Sequence, residues 1–103
     1  MYAEQLMPLI RKFHKNEKPV KFLEIGLGCF NGNHYGSGID IWKHIFSKKD
    51  ELWISDYDEK CIDNAIKNGT LDGVNWLKGN QEFTHVMAQW VEKSKGGFNV
   101  IIE

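Results

Sequence analysis

Hydrophobic periodicity switches back and forth along this chain, and that alternation limits what it can fold into. Residues 20–27 (VKFLEIGL), 52–57 (LWISDY), 74–77 (VNWL) and 98–102 (FNVII) are short apolar runs bounded by glycines, acids or polar turns, the pattern of buried strands. The stretches beside them follow helical spacing instead. Leu6, Leu9, Ile10 and Phe13 do so over about residues 2–15, where Pro8 either kinks the helix or marks the first turn of its longer half. Ile39, Trp42, Ile45 and Phe46 share a face over 39–46, and Cys61, Ile62, Ala65 and Ile66 share one behind a capping Asp58, in a helix closed by Asn68-Gly69. Phe83, Val86, Met87, Trp90 and Val91 make the cleanest apolar stripe, in a helix opened by Asn80 or Thr84 and ended by Lys95-Gly96-Gly97. The order α-β-α-β-α-β-α-β predicts an α/β domain with a parallel sheet and helices on both faces. Right-handed crossovers then place strands one to three outward on one side and strand four on the other, giving the order 3-2-1-4. A ligand crevice is expected at the carboxyl ends of strands one and four.

Composition narrows the function. The chain has 103 residues, one small domain's worth, and a net charge of -1, which removes any global electrostatic argument for nucleic acid or an anionic membrane. It lacks an apolar run near the ~20 residues that span a bilayer. Its start carries Glu4 and is broken by Pro8 and Arg11, unlike a signal peptide. Cys29 and Cys61 have no metal-ligand spacing and are expected as free thiols in a reducing, cytoplasmic setting. The sequon Asn68-Gly69-Thr70 is discounted because such matches arise by chance and no secretion signal accompanies it.

The run FLEIGLGCFNGNHYGSGIDIW carries the chemistry. Glycine after a strand lets the backbone turn tightly and approach a ligand without an intervening Cβ. No Gly-Lys-Ser or Gly-Lys-Thr follows, and the loop has no Lys or Arg, so a polyphosphate would meet backbone donors only. Glu24, two residues before Gly26, can fix loop amides or meet an ammonium group and would repel phosphate. The second strand ends in Asp56, Tyr57 and Asp58, where an acid can accept from ribose hydroxyls. A nucleoside ligand with little phosphate and some positive charge fits these features, and S-adenosylmethionine answers that description. His34 and Tyr35 are loop residues without a placed partner, and Cys29 has no base fixed near it, so none is assigned a catalytic role.

LEIGLG resembles motif I of the class I S-adenosylmethionine-dependent methyltransferases, an acid followed by Gly-x-Gly after the first strand. LWISDYD, LKGNQEF and FNVIIE are similar to that family's second strand, post-strand-three segment and fourth strand, in the same order, so the likeness covers residues 21–103. It implies a Rossmann-like sheet of about four strands and S-adenosylmethionine as cofactor. It also implies site roles. Gly26, Leu27 and Gly28 would approach the methionine part, and Glu24 would organise the loop. Asp56 would take the ribose with Tyr57 beside the adenine, and Asn80 and Gln81 would meet the adenine edge. Phe30 stands where the family's third glycine falls, and Asn80 replaces its usual acid, a weaker acceptor for the adenine amino group.

In that family further strands follow strand four. The chain is therefore expected to be an N-terminal helix (1–19) and the cofactor-binding half (20–103) of a methyltransferase, truncated after strand four, inactive alone and with an unknown acceptor. The free edge of strand four is expected to pair with another copy, giving a homodimer. The rival reading is a non-enzymatic dimeric half-Rossmann binding or interaction module. A nicotinamide or flavin domain is disfavoured by Glu24 and by the lack of Gly-x-Gly-x-x-Gly spacing.

Overall fold

The computed structural model describes residues 2–16, 18–29, 38–80 and 82–102, with the side chains of the first helix from Met7 onward. The elements are α1 (Tyr2–Lys15), β1 (Lys21–Ile25), α2 (Ile39–Ile45), β2 (Glu51–Asp56), α3 (Glu59–Lys67), β3 (Asn75–Lys78), α4 (Thr84–Ser94) and β4 (Val100–Ile102). Helix α1 runs through Pro8 as one element. The strands form one sheet in the order β3-β2-β1-β4, each neighbouring pair parallel. This is the α/β arrangement and strand order expected from the alternation.

Period-two alternation sorts each strand between two cores. Phe22, Leu52, Ile54, Val100 and Ile102 face Ile10 of α1, Trp42 of α2 and Cys61, Ile62 and Ala65 of α3. Phe22 anchors this side, its ring centroid 5.0 Å from that of Trp42 and 5.1 Å from that of Phe46; such pairs contribute about 0.5–1.5 kcal/mol beyond burial. On the other face Leu23, Trp53 and Leu77 meet Val86 and Trp90 of α4, which is the one helix on this face among the described residues, with Ile25 and Phe98 packed at the margin.

That imbalance corrects one expectation. Of the five-residue stripe on α4, Val86 and Trp90 are buried, while Phe83 is 53%, Met87 37% and Val91 49% exposed. A single helix meets the sheet along a narrow line, and the flanks of a wider stripe need a neighbour; among the described residues none covers them. Ile101, pointing to this same face from β4, is 51% exposed.

At the amino ends of the strands, Asp50 ties three segments together. Its carboxylate accepts from Val20 N at 2.7 Å and Ser47 N at 2.8 Å, and meets His14 Nε2 of α1 at 2.8 Å. Asp58 caps α3 as expected, accepting from Lys60 N and Cys61 N. Helix α4 opens at Thr84, one of the two starts expected, with Phe83 as an N-cap that makes no side-chain cap bond.

Candidate functional site

The strands end in near-register at their carboxyl ends, and two backbone bonds carry the pairing one residue further: Gly26 N donates to Ser55 O at 2.8 Å and Gly79 N to Asp56 O at 3.1 Å. Beyond them opens a cleft of about 260 Å³. Gly26, Asp56, Tyr57 and Asn80 line it, so four of the residues assigned from sequence come together there. The cleft lies over β1, β2 and β3, one strand over from the β1–β4 crevice that topology suggested.

Asp56 is the buried acid of this cleft, 6% exposed. Its Oδ2 accepts from Gly28 N at 3.1 Å and its Oδ1 from Asp58 N at 2.8 Å. The loop after β1 and the turn after β2 thus clamp the carboxylate from opposite sides. A carboxylate offers about four acceptor positions, so roughly one per oxygen remains, which suits two adjacent hydroxyls. Gly28 can reach Asp56 because it takes φ +68°, and Gly26 holds φ +102° with open space where a Cβ would stand. Tyr57 is 78% exposed, its ring free to lie against a planar ligand.

Glu24 and Leu27 are not among the residues that line the cleft. Glu24 is buried behind the loop, where its Oε1 accepts from Gly38 N at 3.0 Å and Trp42 Nε1 at 3.2 Å. It joins the far end of the glycine loop and α2 to β1. Burial pushes its carboxyl above the usual 4.5, against the lowering pull of the two hydrogen bonds. Leu27 is fully buried in the larger core, so only its backbone is available to a ligand. The side-chain oxygen of Asn80 accepts from Glu82 N at 2.9 Å and holds a local turn. Gln81, like Phe30, His34 and Tyr35, lies outside the described residues.

Ser55, Gly79, Glu82 and Trp90 also line the cleft and were not assigned to the site from sequence. Trp90 closes the floor from α4, its Nε1 donating to Lys78 O at 3.3 Å. Ser55 is fully buried, and its hydroxyl has no hydrogen-bond partner among the described residues. The one signal for it was a small polar residue inside an otherwise apolar strand. Among the described lining residues are two acids, Asp56 and Glu82, and no Lys or Arg.

The cysteines overturn the expectation of free thiols: Cys29 and Cys61 form a disulfide, with Cα atoms 5.7 Å apart. The two are 32 residues apart in sequence. The strand order brings them together, because the loop leaving β1 passes over the neighbouring β2 and meets the first turn of α3. Among the described residues there is no metal-type cluster of His, Cys, Asp and Glu, and no helix is long and apolar enough to cross a membrane. Neither a protein-family model, a curated protein nor a solved structure matches the chain.

Proposed function

We propose that this chain is the S-adenosylmethionine-binding half of a Rossmann-like methyltransferase. The carrying observation is Asp56, a buried acid at the end of β2 whose two oxygens are oriented by Gly28 N and Asp58 N while positions remain for a pair of ribose hydroxyls. The lining fits that ligand. It is acidic and, among the described residues, offers no side-chain cation to a phosphate, Gly26 leaves room for close approach, and Tyr57 gives an exposed ring at the rim. S-adenosylmethionine, when bound, supplies an electrophilic methyl on a sulfonium. The chain's own part is to hold it, with Asp56 on the ribose and Glu24 keeping the loop attached to β1. Catalysis by the complete enzyme then consists largely of positioning the acceptor. The acceptor is unknown. The proposal includes a cytoplasmic location, a compartment in which protein disulfides are mostly transient, catalytic or sensing.

Calorimetry tests the reading. S-adenosylmethionine and S-adenosylhomocysteine should bind saturably, NAD should not, and Asp56→Ala should abolish binding. Absence of heat with both adenosyl ligands, or preference for NAD, would refute it. The second reading, a dimeric interaction module, is favoured by the half-exposed Ile101 and Val91 on the face that α4 covers only in part. In it, two copies join through the edge of β4, and this pairing is compatible with cofactor binding.

A further inference from the structure

The disulfide joins the two chain segments that hold Asp56. Gly28, donor to one carboxylate oxygen, immediately precedes Cys29; Asp58, donor to the other, caps the helix whose first turn contains Cys61. The covalent bond and the two hydrogen bonds therefore close one ring around the acid of the cleft. With the bond open, Gly28 is held by its hydrogen bond to Asp56 and by the buried Leu27 before it, and Cys29 loses its covalent anchor to α3.

We propose that Cys29–Cys61 is a reversible thiol–disulfide switch that sets the poise of Asp56 and, through it, the affinity of the cleft. The ligand half of this statement rests on the nucleoside reading above; the effect on the Asp56 clamp does not.

Access and chemistry agree with reversibility. Cys29 is an exposed residue and Cys61 is 3% exposed, so an external partner meets Cys29 first. Cys61 sits in the first turn of α3 at bonding distance from Cys29, so it is placed to resolve a mixed disulfide formed there. The oxidant is a small-molecule disulfide. The Cys29 thiolate attacks one of its sulfurs and expels a thiolate, which takes up the proton Cys29 lost. The Cys61 thiolate then attacks Cys29 Sγ in the mixed disulfide, expels the second small thiolate, and gives its own proton to it. Two protein thiols are oxidised and one external disulfide is reduced to two thiols. A dithiol reductant runs the exchange backwards.

The test uses the whole chain in buffers poised with glutathione disulfide or with a dithiol, the redox state checked by thiol counting and mass. Amide hydrogen exchange at Gly28 and Asp58 should be roughly tenfold faster in the reduced chain, while the sheet amides of Leu23 and Ile54 stay protected. Cys29→Ser, a change at an exposed position, should match the reduced chain in both buffers. S-adenosylhomocysteine should bind the reduced form roughly tenfold more weakly. Equal exchange at Gly28 and Asp58 in both states would overturn the switch. So would a uniform rise at all amides, which marks a plain structural brace, or a Cys29→Ser variant that still responds to the dithiol. If exchange responds and the ligand binds both forms equally, the claim about affinity falls. If exchange responds and the ligand binds neither form, the nucleoside reading fails while the clamp switch stands.

Discussion

Replacing Glu24 separates its hydrogen bonding from its charge. The residue is 7% exposed, and one oxygen serves both Gly38 N at 3.0 Å and the indole Nε1 of Trp42 at 3.2 Å. In Glu24→Ala both donors lose their acceptor, and Trp42 is only 2% exposed, so water does not substitute freely. At about 1–3 kcal/mol per unsatisfied buried donor, less what is regained by no longer burying a carboxylate, the loss is about 2–4 kcal/mol. For a domain of this size that lowers the melting temperature by roughly 10–25 °C. Glu24→Gln keeps an acceptor and removes the charge, so at neutral pH it should stay within about 1 kcal/mol of the wild type. The two also differ with pH. Burial raises the Glu24 carboxyl above 4.5 in the folded chain. From 4.5 up to the raised value the folded state binds more protons than the unfolded one, so this residue's effect lowers stability as pH rises through that window. The glutamine variant lacks the effect and should gain on the wild type as pH is raised from below 4.5 to neutral. Denaturant unfolding followed by tryptophan fluorescence across that range measures both. An alanine variant as stable as the glutamine one, or a wild-type-to-glutamine difference that does not move with pH, would refute the reasoning.

Asp50 titrates with the opposite sign. Burial pushes its carboxyl up, but the N–H groups of Val20 and Ser47 and the ring of His14 together outweigh this and hold it below 3.8. Its stabilisation is complete above 3.8 and is lost as pH falls through the folded value, so Asp50→Asn should cost about 1–3 kcal/mol at neutral pH and progressively less in acid, read from urea midpoints. In light scattering at high concentration the chain should run as a dimer and Ile101→Lys as a monomer; a wild-type monomer at every concentration would remove the pairing reading.

The fold was legible where burial imposes a period. VKFLEIGL and LWISDY read as strands because both faces of a central parallel strand are covered, and the alternation with helices then implied the order 3-2-1-4. Local chemistry was legible too: Asp58 caps α3 because its carboxylate reaches amides two and three residues ahead. What failed depended on distant neighbours. The α4 stripe marked every apolar position of the helix, but burial there depends on which elements lie beside it, and Met87 and Val91 have none among the described residues. The Cys29–Cys61 bond is a consequence of strand order and has no local signal. In the site, Asp56 could be placed because strand ends converge in a parallel sheet. Trp90 could not be placed at the cleft, because its stripe shows that it is buried and not what it meets at the end of β3.

The central claim is that the cleft over β1, β2 and β3 takes an adenosyl ligand through Asp56. The most direct test is a titration of the isotope-labelled, oxidised chain with S-adenosylhomocysteine, followed at individual backbone amides. The expected result is saturable shifts concentrated at Gly26, Tyr57 and Gly79, which line the cleft, and at Gly28 and Asp58, which hold its acid, all lost in Asp56→Ala. Amides that stay unmoved, or that move only in the groove between His14, Lys18 and Asp50 at the opposite end of the sheet, would contradict it.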